Sequence, residues 1–217
     1  MVILPYCVVE ASESVTVPEQ GVCAFPVATF QAHGLSAFYS EVPALPSGAQ
    51  ELQTEALRFH AVVNEIFRQA AVVQFRFPTA LPGTEALREH IQEHAEEYRE
   101  FLARVRGLVQ MEIRISGVVA APPASARGRE YLLSRRAASE AEERCSAKIC
   151  SSASEFIREW KTRKTQNSLR CYALVARTGV DVFRERLQSV LCSSSSVRAV
   201  VSGPWPATEF LDATIKR

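Results

Sequence analysis

Two histidines, His90 and His94, stand one helical turn apart among Glu89, Glu93 and Glu97. That spacing puts two imidazoles on one helix face, where a divalent metal could sit. A third ligand at motif spacing is missing, and the glutamates do not match the H-E-x-x-H order. The segment reads as a solvated acidic face. His60 flanks an apolar helical stripe beside Ala56 and Val63. No nucleophile or acid stands where it could serve, so it reads as structural. The six cysteines, Cys7, Cys23, Cys145, Cys150, Cys171 and Cys192, contain no CxxC pair, which excludes zinc-site spacing and points to reduced thiols. Cys145 and Cys150 fall on different sides of a helical segment and read as free. Arg158, Lys161, Arg163, Lys164 and Arg170 form a basic run around Trp160, the composition of a phosphate grip. With a formal net charge of +1 and acidic helices elsewhere, a solvated or protein-facing patch is the stronger reading. A phosphate-cradling glycine loop, a nucleophile elbow and paired carboxylates are all lacking. No catalytic, cofactor-binding or metal-binding residue is therefore assigned.

The elements that would carry these residues are set by periodicity. Val2–Val9 reads as an opening strand, and Glu10–Gln20 as a loop. Val22–Phe30 and Leu35–Val42 read as strands joined by a hairpin loop at Gln31-Ala32-His33-Gly34. From Glu51 to Ala70 the period changes, with Leu52, Ala56, Phe59, Val63, Ile66 or Phe67, and Ala70 on one face of an amphipathic helix. Ala71–Phe77 reads as a strand. Thr84 is the expected N-cap of a helix over 84–106, with the stripe Leu87, Ile91, Ala95, Tyr98, Leu102 and Val105, stopped by Gly107. Leu108–Ser116 alternates as a half-buried strand, and 118–128 reads as a proline-containing loop. A long helix then starts at Arg129, with Leu133, Ala137 or Ala138, Ala141, Cys145, Ile149, Ser152 and Phe156 on its stripe. Small residues dominate the middle of that stripe, so it needs a neighbouring helix or a partner at close approach. The stretch 155–165 reads as a last turn or a strand. Leu169–Ala176 is a strand, and 180–192 a short helix with Val182 or Phe183, Leu187, and Val190 or Leu191 inward. Ser193–Ser196 is a low-complexity loop. A final strand from Ser195 ends abruptly at Gly203-Pro204-Trp205-Pro206.

With 217 residues the chain is long enough for one large core or two small ones. No window reaches the roughly 20 apolar residues of a membrane span. Met1–Pro5 lacks the basic region of a signal peptide, so a cytoplasmic protein is expected. The order of elements indicates an α+β fold. It is expected as two small units, ferredoxin-like sheets with helices on one face, linked by a helix and with the long helix in the second. Their boundaries are placed at 1–82 and 83–217, with the helix at 84–106 assignable to either. At the closing strand, Pro204 and Pro206 fix φ and extend the residues before them, which aims the Trp205 indole in one direction. That corner either folds back over the core or stands out as a recognition prong.

Taken in order, several segments resemble the GvpL/GvpF family of gas vesicle proteins along nearly the whole chain. They are Gly34-Leu35-Ser36-Ala37-Phe38-Tyr39-Ser40-Glu41-Val42, Arg58–Val63 leading into Val72–Phe77, Glu112–Ile115, Gly128–Leu133, Cys171–Val175 ahead of Phe183, and the terminal Gly203-Pro204-Trp205-Pro206. Two turns depart from the family pattern: Pro78-Thr79 replaces Gly-Thr, and Ala207-Thr208-Glu209-Phe210 replaces Pro-Tyr-Ser-Phe.

The resemblance implies a non-enzymatic accessory or minor structural protein of cytoplasmic gas vesicles, with no cofactor. It implies binding to the small hydrophobic shell subunit and to other accessory proteins, and help in nucleating or assembling the shell. Nucleic acid and membrane are not expected partners. Its candidate partner-binding residues are Trp205 and Phe210 at the exit, and Ala141, Cys145 and Ile149 on the small-residue face of the long helix. The competing classes are a small-molecule-binding or enzymatic α+β domain, and a nucleic-acid regulator using the Arg158–Arg170 run.

Overall fold

A computed structural model describes residues 1–117, 128–166, 168–191 and 197–211, with the side chains of all but 128–131. The loop expected over 118–128 (Gly128 apart), the one expected over 193–196, and Cys192 lie outside the described residues. The chain divides into two compact units, Met1–Gly107 with the segment from Pro206, and Leu108–Trp205. The fold is α+β.

The first unit contains β1 (Val2–Glu10), β2 (Ala28–Ala32), β3 (Leu35–Val42), α1 (Ala49–Gln69), β4 (Val73–Gln74), α2 (Thr84–Glu93) and α3 (Ala95–Val105). Its sheet has the order β2-β3-β1-β4 and is antiparallel. Ala32 pairs with Leu35 across His33 and Gly34, both at positive φ, 53° and 77°. A two-residue turn with both central residues left-handed matches the twist of the flanking strands. The strand expected over 22–30 is instead a 3-10 turn at Val22–Ala24 followed by β2, because Cys23 and Ala24 take φ of 55° and 59°. That turn is anchored from α1, where the buried Glu55 carboxylate accepts from the Cys23 N–H at 2.5 Å and from Arg58 at 2.9 Å. Of the strand expected over 71–77, β4 keeps two residues, and the Phe75 N–H adds one further bond to the Tyr6 carbonyl.

Residues Ile3–Val9 of β1 are buried on both faces. Tyr6 meets Phe59 of α1 with ring centroids 5.2 Å apart, and α2 and α3 also pack on β1. The helix expected over 84–106 is two helices, broken at His94 (φ −107°, ψ 10°). Its stripe is continuous all the same, with Leu87, Ile91, Ala95, Tyr98, Leu102 and Val105 all buried. Gly83 rather than Thr84 occupies the cap position of α2. Gly107, at φ 71°, closes the segment after α3. Both helices thus belong to the first unit, which runs to residue 107 instead of 82.

The second unit runs β5 (Leu108–Gly117), α4 (Gly128–Ser152), β6 (Ile157–Lys164), β7 (Leu169–Ala176), α5 (Val180–Leu191) and β8 (Val197–Trp205). Its sheet, in the order β6-β7-β5-β8, is antiparallel throughout. This is the ferredoxin-like βαββαβ arrangement. The stretch 155–165, open on sequence grounds, is mostly strand. Along β5, Val109, Met111, Ile113 and Ile115 are buried in register with Val175, Ala173, Cys171 and Leu169 of β7. Phe183, Leu187 and Val190 of α5 are buried, while Val182 is exposed.

Candidate interaction surface

Strand β8 is an edge of the second sheet, bonded to β5 alone. Its pairing slips by one residue, since Glu112 faces Ser202 and Gln110 faces Trp205. The extra residue makes a bulge, which bends the strand and re-aims its last residues. Gly203 sits in it at φ 118°, and a Cβ there would lie 2.9 Å from the Gln110 carbonyl oxygen and 3.0 Å from Met111 Sδ. Only glycine fits so close an approach. Arg184 of α5 donates to the Gly203 carbonyl at 2.5 Å. The Gly203–Pro204 peptide is cis. Trp205 comes out of this bend 41% exposed, its indole N–H 3.4 Å from Ser202 Oγ. Val200 on the same strand is 63% exposed.

Immediately beyond Trp205 the chain turns inward. Ala207, Phe210 and Leu211 are buried, in a 3-10 turn at Thr208–Phe210. Arg104 of α3 donates to the Phe210 carbonyl at 2.6 Å. The sequence alternatives at this corner are thus divided between neighbours, with an outward Trp205 and an inward Phe210. The Arg104 and Arg184 anchors have no local sequence signal. They come from residues 106 and 19 positions away.

Ala141, Cys145 and Ile149 are also buried, with Glu142 and Ser146 beside them. The close neighbour is not the helix or partner expected from their small size but the unit's own sheet, on which α4 packs at β5, β7 and β8. A Cβ on Gly117 would lie 2.6 Å from that of Ala138. The Gly117 N–H donates to the Glu142 carboxylate at 2.8 Å, and the Cys171 thiol lies 3.3 Å from Ser146 Oγ. Burial pushes the Cys171 thiol up to about 11 against the lowering effect of its Ser146 hydrogen bond, so it is not a thiolate at neutral pH. The exposed apolar residues of α4 are Leu132 and Leu133. Leu133 thus departs from the buried stripe on which helical spacing alone puts it.

The residues whose types suggest chemistry find ordinary structural partners. The rings of His90 and His94 lie 4.7 Å apart, tilted 55° to one another; His90 Nε2 lies 2.8 Å from the Tyr98 hydroxyl and His94 Nδ1 3.1 Å from Glu97. Among the described residues, no group of three or more His, Cys, Asp or Glu could hold a metal ion. His60 is exposed, edge-on to Phe59. In the basic run, Lys164 pairs with Glu143 at 3.0 Å, Lys161 with Glu159 at 3.5 Å and Arg170 with Glu112 at 3.4 Å. A hollow of about 230 Å³ lies beside Gly21, Arg58 and Glu65, smaller than the roughly 300 Å³ at which small-molecule sites begin. No helix among the described residues is long and apolar enough to cross a membrane.

The family model described as gas vesicle synthesis protein GvpL/GvpF matches residues 3–212. No curated relative matches the chain. The crystal structure of the gas vesicle protein GvpF from Anabaena sp. PCC7120 superposes with a TM-score of 0.80 at 13% identity, covering 97% of this chain and 96% of that one. GvpF from Microcystis aeruginosa gives a TM-score of 0.78 at 12% identity, covering 97% and 99%. At such identities the likeness to these structures is one of fold.

Proposed function

The chain belongs to the GvpL/GvpF family of gas vesicle synthesis proteins, and from that premise we propose that it assists gas vesicle nucleation and assembly without catalysis, by binding the small hydrophobic shell subunit. The observation that supports this reading is the β8 edge, whose outer side pairs with no other strand among the described residues and which ends in an exposed, braced Trp205. Sheet edges recruit extended apolar segments by strand addition. A rigid aromatic beside such an edge supplies contact area at low entropic cost. Trp205 is the contact residue in this proposal. Ala141, Cys145 and Ile149 serve it indirectly, by seating α4 on the sheet that presents β8, and Phe210 by anchoring the chain beyond the prong. The protein would act in the cytoplasm and at the gas vesicle, with other accessory proteins as further partners.

Co-purification tests this. The wild-type chain is expected to capture the shell subunit, and Trp205→Ala to lose most of that capture while keeping its circular dichroism and melting temperature. A folded Trp205→Ala protein that captures the subunit at wild-type strength removes the prong from the proposal. No capture by the wild-type chain removes the proposal itself.

A further inference from the structure

The second sheet turns one face to α4 and α5, and the register fixes the residues that stand on the other. Arg163 of β6 lies directly opposite Arg170 of β7, which lies opposite Arg114 of β5, which faces Val200 of β8. Three arginines thus occupy one cross-strand row, about 5 Å from strand to strand. Arg198 stands on the same face one step along β8, and Lys161 one step along β6. The face carries two carboxylates on its strands, Glu112 and Glu159, already paired with Arg170 and Lys161. Arg114 and Arg198 are exposed and make no hydrogen bond or ion pair among the described residues, and Arg170 Nε has no acceptor. Arg163 donates to the Tyr172 hydroxyl at 3.0 Å and lies over that ring. Like charges directly opposite one another destabilise a sheet; Glu112 offsets Arg170, so the charge left for a bound anion is that of Arg114, with Arg198 beside it on the same face.

We propose that this face is a docking surface for an acidic polypeptide segment with apolar residues among its carboxylates. Guanidinium forks match carboxylates bidentately. The segment's apolar residues meet Val200, which completes the arginine row and is 63% exposed, and Trp205 farther along β8. A phosphodiester backbone fits less well. It has no use for Val200, and a formal net charge of +1 gives the chain no general pull on a long polyanion. The docking surface goes beyond the shell-subunit reading and does not require it.

The test uses the full chain and a labelled synthetic peptide of alternating glutamate and valine, monitored by fluorescence anisotropy. The peptide is expected to bind, to weaken severalfold as salt rises from about 50 to about 300 mM, and to weaken about tenfold or more in the Arg114→Glu/Arg198→Glu variant. That variant should melt at or above the wild-type temperature, because a glutamate opposite Arg170 relieves the repulsion. This separates lost recognition from lost folding. Replacing the peptide's glutamates by glutamine should abolish binding. Absence of peptide binding, or affinity unchanged in the variant, overturns the proposal. So does tighter binding of an oligothymidylate than of the peptide, or self-association that the same substitutions abolish, since these identify nucleic acid or a second copy as the occupant. Capture of the shell subunit by the wild-type chain is scored separately, with Trp205→Ala.

Discussion

The two sheets each have four antiparallel strands, yet they use their faces differently. In the first, β1 is buried on both sides, and nearly all of β3 is buried too. In the second, β5 alternates, with Val109, Met111, Ile113 and Ile115 inward against Glu112 and Arg114, and the edge strand β8 carries exposed Val200 and Trp205. A sheet covered on both sides gives stability and offers little to a partner. The second is buried on its far face as well at Gln110, Tyr172 and Leu174, but it leaves Arg114, Arg198 and Val200 and the β8 edge exposed for recognition. On the proposed reading, anchoring falls to the first unit and contact to the second.

The sharpest way to break this contrast is to substitute a residue that holds each sheet in place. Phe59→Ala removes a fully buried ring packed on Tyr6 and Phe77 at 5.2 and 5.3 Å. It should cost about 3–5 kcal/mol, read as a lower urea midpoint by circular dichroism. Gly203→Ala comes next. It forces a side chain into φ 118° against the Gln110 carbonyl and should cost about 1–3 kcal/mol. Both tryptophans, Trp160 and Trp205, lie in the second unit, so intrinsic fluorescence reports the displaced bulge directly. An unchanged Trp205 emission would show that the bulge does not hold the indole.

A smaller effect is expected from pH. Burial, with the neighbouring His94, holds His90 below its usual value, against a weaker opposing pull from Glu93. The unfolded chain then binds the proton more readily than the folded one. Stability is therefore full above about pH 6.5, the ordinary histidine value, and falls as pH drops from there to the lowered folded-state value. His90→Gln should flatten that acid limb in a melting-temperature series. Smallest of all, Val200→Thr on the exposed face should change stability by less than about 0.5 kcal/mol. A large loss there would mean that the open face is covered.

Much of the fold is legible in the sequence because local period and turn chemistry decide it. The hairpin at His33-Gly34, the α1 stripe and the bounds of β7 are examples. The break at His94 is not legible, since α2 and α3 share one unbroken apolar stripe and no glycine or proline marks the join. The candidate surface is legible in part. The proline-flanked indole stands out, but Phe210 on the same short segment turns inward, and what anchors it is Arg104, far back in the chain. The small residues of α4 signal close approach, but the neighbour is the unit's own sheet and not the helix or partner expected, because strand order is not written in a helix stripe. The arginine row is invisible in one dimension, because Arg114, Arg163 and Arg170 become neighbours only through strand order.

The second unit is spliced into the first. Its ends, near Gln110 and at Trp205, are paired neighbours on adjacent strands, and the chain from Pro206 rejoins the first unit. On the ribosome, residues 108–205 are therefore complete before the first unit is. Ala207, Phe210 and Leu211 are synthesised after the inserted unit, and Phe210 then meets an Arg104 made about a hundred residues earlier. Since domains fold as units in the order in which they emerge, the inserted unit is ready while its host still waits for a closing latch. A ribosome-stalled chain ending at Trp205 would present a finished second unit beside a first unit without that latch.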